Sequence, residues 1–412
     1  MQRRDFLKTS LAAFWADTLG LSLAGLSDLV LAQSTSSKAN ALPNWPNSQK
    51  PFIMVFLRGG ADTLSLLSPL EDPEFLAARP PDMRIKLTDF NVKPILAGNM
   101  PLYWHPQAES LAKLMAAKRL APWVAVGIED ETRSHFEAQE IMERGLSSLR
   151  KLPDDNGWMA RQIEMESRGD KQQFILPLFA GNNNMPAVMR GSTQVLASRD
   201  LSGGIRFPGG LNSLTDIQAL CGQESAHPAS ILMRAALNNI AAVNQRLPKE
   251  SPSSTKVLPY VSSGSLPYPN SDPGVGLRSV ARLIQAGVGL QYASVDHGGW
   301  DTHEGQNGKM DGLIRDLSLA LAAFDDDMQA QQQGYTLVVL TEFGRRLRTN
   351  KSNGTDHGHA STALLMGDRV SGGKVLGKWP GLGNNQLDRG VDLAVTTNYQ
   401  AVLAQALQIN AG

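Results

Sequence analysis

Unbroken apolar runs of strand length recur along this chain, and most of them end in a short cluster rich in Gly, Asp and His. Phe52–Leu57, Pro122–Gly127, Leu290–Val295, Tyr335–Leu340 and Ala363–Met366 are such runs. A run that does not alternate with polar residues suits a strand buried on both faces, as in a parallel sheet covered by helices. Between the runs lie stretches with helical spacing: Gln107–Ala117, His135–Arg144, about Gly276–Ala286, about Met310–Ala330 and about Tyr399–Leu407. Ser134 stands as N-cap of the second stretch with Glu137 three residues on, the capping-box spacing. Strand and helix in repetition predict an α/β fold with a mainly parallel sheet and helices on both faces.

The clusters hold the candidate chemistry. They are Arg58–Asp62, Arg133–His135, Asp296–His303, Thr341–Arg345 and Thr355–His359, and they contain five of the seven histidines. In an open α/β sheet, ligands meet in the crevice outside the carboxyl ends of the strands, and histidine with carboxylate there is a metal-site composition. His105 and His227 stand alone beside prolines and read as structural.

The chain starts with paired arginines, Arg3 and Arg4, followed by Phe6-Leu7-Lys8 and a mildly apolar stretch to Ala32. Val30 and Ala32 suit the two small positions of a signal-peptidase site before Gln33. Asp17 and Asp28 make the stretch a poor membrane span, which wants about 20 largely uncharged residues. Residues 1–32 therefore read as a twin-arginine export signal, 33–50 as a linker and 51–412 as the mature domain. That domain is expected to be periplasmic or secreted, with no stable membrane span. Lys249–Gly276 is the best internal boundary, and the less regular Gly181–Gly276 region is a candidate cap over the site. Cys221 is the only cysteine, which excludes an internal disulfide and cysteine-rich metal sites. Balanced charge, 39 basic against 39 acidic residues, argues against a nucleic-acid partner.

In this order, the motifs Arg-Gly-Gly-x-Asp, Arg-Ser-His-Phe-Glu-Ala-Gln, Gly-Gly-Trp-Asp-Thr-His, Glu-Phe-Gly-Arg and Gly-Thr-Asp-His-Gly-His resemble the bacterial domain-of-unknown-function family 1501. Its members commonly carry twin-arginine signals, and the resemblance spans nearly all of the mature chain. The family is grouped with the alkaline phosphatase and sulfatase superfamily. The resemblance thus implies a doubly wound, alkaline-phosphatase-like fold and a one- or two-metal site for phosphate or sulfate esters.

Carried onto this sequence, it makes Asp62 the carboxylate ligand after the first strand, with Gly59 and Gly60 bringing backbone near the ion. Ser134 takes the nucleophile's place, with Thr132 in reserve and a plain N-cap as the structural alternative. Asp301 and His303 are the next ligand pair, with Asp296 and His297 as substitutes. Glu342 stands where the superfamily has an adjacent Asp-His pair, and Phe343 replaces the histidine unless His135 or His357 supplies it. Arg345 is a candidate anion clamp, or else the salt-bridge partner of Glu342. His359 matches the last histidine ligand, with His357 in support or as the alternative.

Together these readings predict an exported hydrolase of phosphate or related anionic esters that depends on a divalent metal, zinc being one candidate. Its partners would be a small anionic ester or glycan and the twin-arginine export machinery. No Cys/Ser-x-Pro-x-Arg motif exists, which excludes a formylglycine sulfatase. The alternative is a catalytically silent metal-binding protein, or an anion- or carbohydrate-binding one, of the cell envelope.

Overall fold

All six residues of Phe52–Leu57 (β1) are buried, and they feed two different cores in alternation. Ile53, Val55 and Leu57 pack into one layer, and Phe52, Met54 and Phe56 into the other. Each such side chain contributes roughly 1.5–3 kcal/mol by burial, so the strand is anchored about equally from both sides. This explains why its sequence shows no alternation.

The computed structural model describes residues 50–86, 93–149, 155–169, 175–205, 216–217, 219, 228–251, 254 and 256–411. The expected export signal with its expected cleavage site, all of the expected linker but Lys50, and Cys221 and His227 lie outside the described residues. After β1 come α1 (Thr63–Leu66), β2 (Leu67–Ser68), α2 (Pro73–Ala78), β3 (Ile95–Ala97), β4 (Met100–Trp104), α3 (Glu109–Ala116) and β5 (Leu120–Gly127). They are followed by α4 (His135–Glu143), α5 (Trp158–Gly169), β6 (Leu178–Ala180), β7 (Val195–Ala197), α6 (Pro228–Arg246) and α7 (Asp272–Gln285). The chain then runs through β8 (Tyr292–His297), α8 (Gln306–Ala330), β9 (Thr336–Thr341), β10 (Ser361–Gly367), β11 (Thr397–Asn398) and α9 (Tyr399–Ala411).

The main sheet has the order β11-β5-β10-β9-β1-β8-β6-β7. Its neighbours pair in parallel except around β10, which runs against both β9 and β5. Leu111 of α3, Val243 of α6, Val280 of α7 and Leu317 of α8 share one core; Ile141 of α4, Ile163 of α5 and Leu403 of α9 share the other. The fold is doubly wound, with helices on both faces. A small antiparallel sheet, β2-β4-β3, stands apart.

Several boundaries differ from the sequence reading, three of them near the site or at a proline. Strand β8 begins and ends two residues later than the apolar run, because its register with β1 pairs Leu57 with His297. Helix α8 starts at Gln306, opened by Gly305 in the left-handed region, and not near Met310. Helix α7 starts at Asp272, with Pro273 accommodated in its first turn, where its missing N–H costs nothing.

The direction of β10 decides where the site forms. Strands β5, β9, β1 and β8 end at one rim of the sheet, and the reversed β10 begins there. Clusters that follow the first four strands and the cluster that precedes β10 are therefore brought together.

Candidate metal centre

At that rim Asp301 Oδ1 has three imidazoles around it. His303 Nε2 lies 3.0 Å away, His357 Nε2 3.2 Å and His135 Nε2 3.4 Å. The His303 and His357 Nε2 atoms are 2.9 Å apart. Donor atoms of His135, Asp301 and His357 all fall within 4.8 Å of one another, close enough to hold one ion.

Each imidazole turns its other nitrogen outward to an acceptor. His135 Nδ1 is 2.8 Å from Glu342 Oε1, His357 Nδ1 is 2.8 Å from the Arg133 carbonyl oxygen, and His303 Nδ1 is 3.3 Å from Asp356 Oδ1. Those acceptors assign the proton of each neutral ring to Nδ1 and leave the Nε2 lone pair facing Asp301. His135 Nε2 is buried and makes no hydrogen bond. Lone pairs of three imidazoles and a carboxylate repel one another unless a cation lies among them. This donor set suits zinc and similar divalent ions.

Local sequence explains the placement. Helix α4 begins at His135, with Ser134 as N-cap: its Oγ accepts from the Glu137 N–H at 3.5 Å. The return half of the expected capping box is relayed. The Ser134 N–H donates to Thr132 Oγ1 at 3.2 Å, and Thr132 Oγ1 donates to the Glu137 carboxylate at 2.5 Å. Phe343 packs its ring 4.8 Å from both His135 and His357, centroid to centroid. It walls the cluster, and His135 and His357 supply the imidazoles that position 343 lacks. Gly59 has φ +120, and a Cβ there would stand 2.3 Å from the Asp301 nitrogen. The glycine thus serves the close approach of the loop carrying Asp301.

The remaining sequence candidates are arranged differently. Asp62 is buried in an ion pair with Arg79, at 2.6 and 3.1 Å, and also accepts from Ser65 and Gln306. It contacts none of the clustered imidazoles, so nothing there presents it as a ligand beside them. His359 has both ring nitrogens engaged, one with Asp388 at 2.9 Å and one with the Ile128 carbonyl at 3.0 Å. Of the two histidines before β10, it is His357 that faces the centre. Glu342 is fully buried and pairs with His135 and Gln139, not with Arg345. It orients an imidazole from outside the cluster. Arg345 donates to the carbonyls of Gly60 at 2.5 Å, Thr355 at 2.8 Å, Trp300 at 3.1 Å and Gly59, and to Asp301 Oδ1 at 2.5 Å. It ties the loops together and holds Asp301, leaving little with which to clamp an outside anion.

Electrostatics follow from these contacts. Burial opposes ionisation of Asp301, but Arg345 and the imidazoles overcome it and hold the carboxyl at about 2. Glu342 is likewise opposed by burial yet held below its usual range by His135 and Gln139. The Glu342 hydrogen bond raises the His135 pKa, while burial lowers that of His357. Asp301 and His303 are also the most open members of the cluster, with side chains 48% and 40% exposed, so the centre has a solvent-facing side.

Three contributors were not singled out from sequence. Gln139 lies one helical turn after His135, the spacing that shares a face, and could have been found that way. Asp356 sits beside His357 in a cluster already noted. The Arg133 carbonyl has no sequence signal.

Residues 265–406 match the family model of DUF1501, a protein family of unknown function. The matched residues include Asp301, His303 and His357 of the cluster, together with Glu342 and Arg345. No curated protein matches the chain. Among solved structures, the chain is similar to a protein in the alkaline phosphatase superfamily from Vibrio parahaemolyticus. That match has 12% identity, covers 88% of this chain and 73% of the other, and has a TM-score of 0.35. It is also similar to the C-terminal periplasmic domain of EcEptC from Escherichia coli, solved in complex with Zn. There the identity is 10%, the coverage 80% and 78%, and the TM-score 0.34.

Proposed function

We propose that this protein is a metal-dependent hydrolase of phosphate or related anionic esters, working at the cluster of His135, Asp301, His303 and His357. The observation that carries the reading is the orientation of the three imidazoles. Each has its Nδ1 fixed outward and its Nε2 aimed at Asp301, and one of those Nε2 atoms is buried without a hydrogen bond. A divalent ion bound there would act as a Lewis acid toward an ester oxygen. Asp301, kept ionised by Arg345, would hold it together with the imidazoles. Ser134 is the candidate nucleophile: it adjoins His135, and its Oγ is held only by the 3.5 Å capping contact. Releasing a cap costs about 1 kcal/mol at most sites, and less where the bond is this long. The paired arginines at the start of the chain support export of the folded, metal-loaded protein. Among the described residues no helix is long and apolar enough to cross a membrane.

One observation favours a second reading, a silent metal-binding protein: both hydroxyls just before His135 in the chain, Ser134 and Thr132, are engaged in starting α4. Metal analysis and a screen of phosphate and sulfate esters, run on wild type, His135→Ala/His357→Ala and Ser134→Ala, separate the two. Metal and turnover in the wild type, metal lost in the double variant, and turnover lost with metal retained in Ser134→Ala are expected. Metal without turnover on any ester leaves the silent reading. A well-folded wild type that binds no metal rules out both.

A further inference from the structure

His135 Nδ1 meets the carboxylate of Glu342, and Gln139 and Arg58 link Glu342 to two further carboxylates, Glu143 and Asp296. Glu342 and Glu143 have side chains 0% and 6% exposed, and Asp296 30%. A buried carboxylate without a counter-charge is costly, and carboxylate oxygens are ligands for divalent cations. Here the counter-charge is Arg58. Its Nη2 is 2.9 Å from Glu143 Oε1 and 3.0 Å from Asp296 Oδ1, and its Nη1 is 3.1 Å from Glu143 Oε2. The guanidinium also lies over the Phe56 ring at 4.3 Å. Gln139 extends the link: its Oε1 accepts from Arg58 Nη1 at 3.2 Å, and its Nε2 donates to Glu342 Oε1 at 2.8 Å. Glu342 Oε1 is the atom that takes His135 Nδ1.

We propose that Arg58 is the built-in second cation of this centre, so that the chain binds one divalent ion there and not two. The proposal rests on the metal-centre reading above. A guanidinium cannot lose its proton in a protein, and its fork binds both oxygens of Glu143 and lies 3.0 Å from one oxygen of Asp296. The position therefore stays filled at any metal concentration, and the same cation steadies the carboxylate that orients His135.

The test is zinc stoichiometry by elemental analysis and calorimetric titration of the full chain, with Arg58→Gln and Arg58→Lys beside the wild type. One zinc per chain at saturation is expected for the wild type and for Arg58→Lys. Two are expected for Arg58→Gln, whose three carboxylates have lost their cation. Two zinc ions in the wild type, or a folded Arg58→Gln that still stops at one, would overturn the proposal. A wild type with no zinc would fail the metal-centre reading instead, a separate outcome. Arg58→Met serves if Arg58→Gln does not fold, and the wild-type count decides if neither does.

Discussion

At the residue scale, two positions near the rim show how tightly the site loops are constrained. Gly59 combines a φ of +120 with a neighbour that leaves no room for a methyl group. Gly59→Ala should lose at least about 2 kcal/mol, from backbone strain and overpacking together, and displace Asp301. Urea unfolding checks the first effect and zinc titration the second; an unchanged midpoint would mean that the loop relaxes freely. His297, at the end of β8, is a buried imidazole whose Nδ1 has no hydrogen-bond partner. Burial, only partly offset by Asp272, lowers its pKa from 6.5 to about 4. Between those values the unfolded chain binds the proton and the folded one does not. Stability is therefore lost as pH falls from about 6.5 toward 4 and levels off below. Wild type should lose roughly 2 kcal/mol more than His297→Gln between pH 7.5 and 5, since each tenfold difference in proton affinity is worth about 1.4 kcal/mol. Parallel stability curves would show that His297 is not the titrating group.

At the element scale, the sheet rim works because one side chain ties its loops together. Arg345 follows β9, and its acceptors belong to the loops after β1 and β8 and to the segment before β10. Arg345→Met would leave the Gly59, Gly60 and Thr355 carbonyls without this donor and Asp301 without its cation. A loss of about 3 kcal/mol or more is expected, with weakened metal binding. Arg346→Met, at the exposed neighbour, should change stability by under about 0.5 kcal/mol. Equal losses would remove the special role of position 345. The same elements show what sequence could convey. Strands β1, β5, β9 and β10 were legible because burial on both faces leaves unbroken apolar runs. Strands β6 and β7, three residues each, are too short for periodicity to register. The reversal of β10 left no trace, since an apolar run does not encode strand direction. At the site, clusters at strand ends were readable as chemistry, but partner choice was not. Arg79, 17 residues on, captures Asp62, and Asp388, 29 residues on, occupies one nitrogen of His359. Which side chains reach the centre was decided by groups distant in sequence.

At the scale of the whole molecule, the two cores and the site are separable in energy. Apolar layers run along both faces of the sheet, while the clustered imidazoles sit at one rim, His303 and His357 on loops and His135 at the start of α4. Removing a bound ion should therefore leave the sheet intact and act through mass action alone. An ion present at about 100 times its Kd stabilises the folded state by about 2.7 kcal/mol. For a domain of this length each kcal/mol moves Tm by no more than about 2–4 °C, so chelation should lower Tm by about 5 °C. Far-ultraviolet circular dichroism at 25 °C should not change, because every helix keeps its core contacts. In His135→Ala/His357→Ala the chelator should shift nothing. Hydrogen exchange should localise the loosening to residues 128–135, 298–305 and 343–359, with β1 and β9 still protected, since local opening there need not unfold the layers. If chelation instead melted the whole domain, the ion would be part of the core's stability, and the separation between scaffold and site would fail.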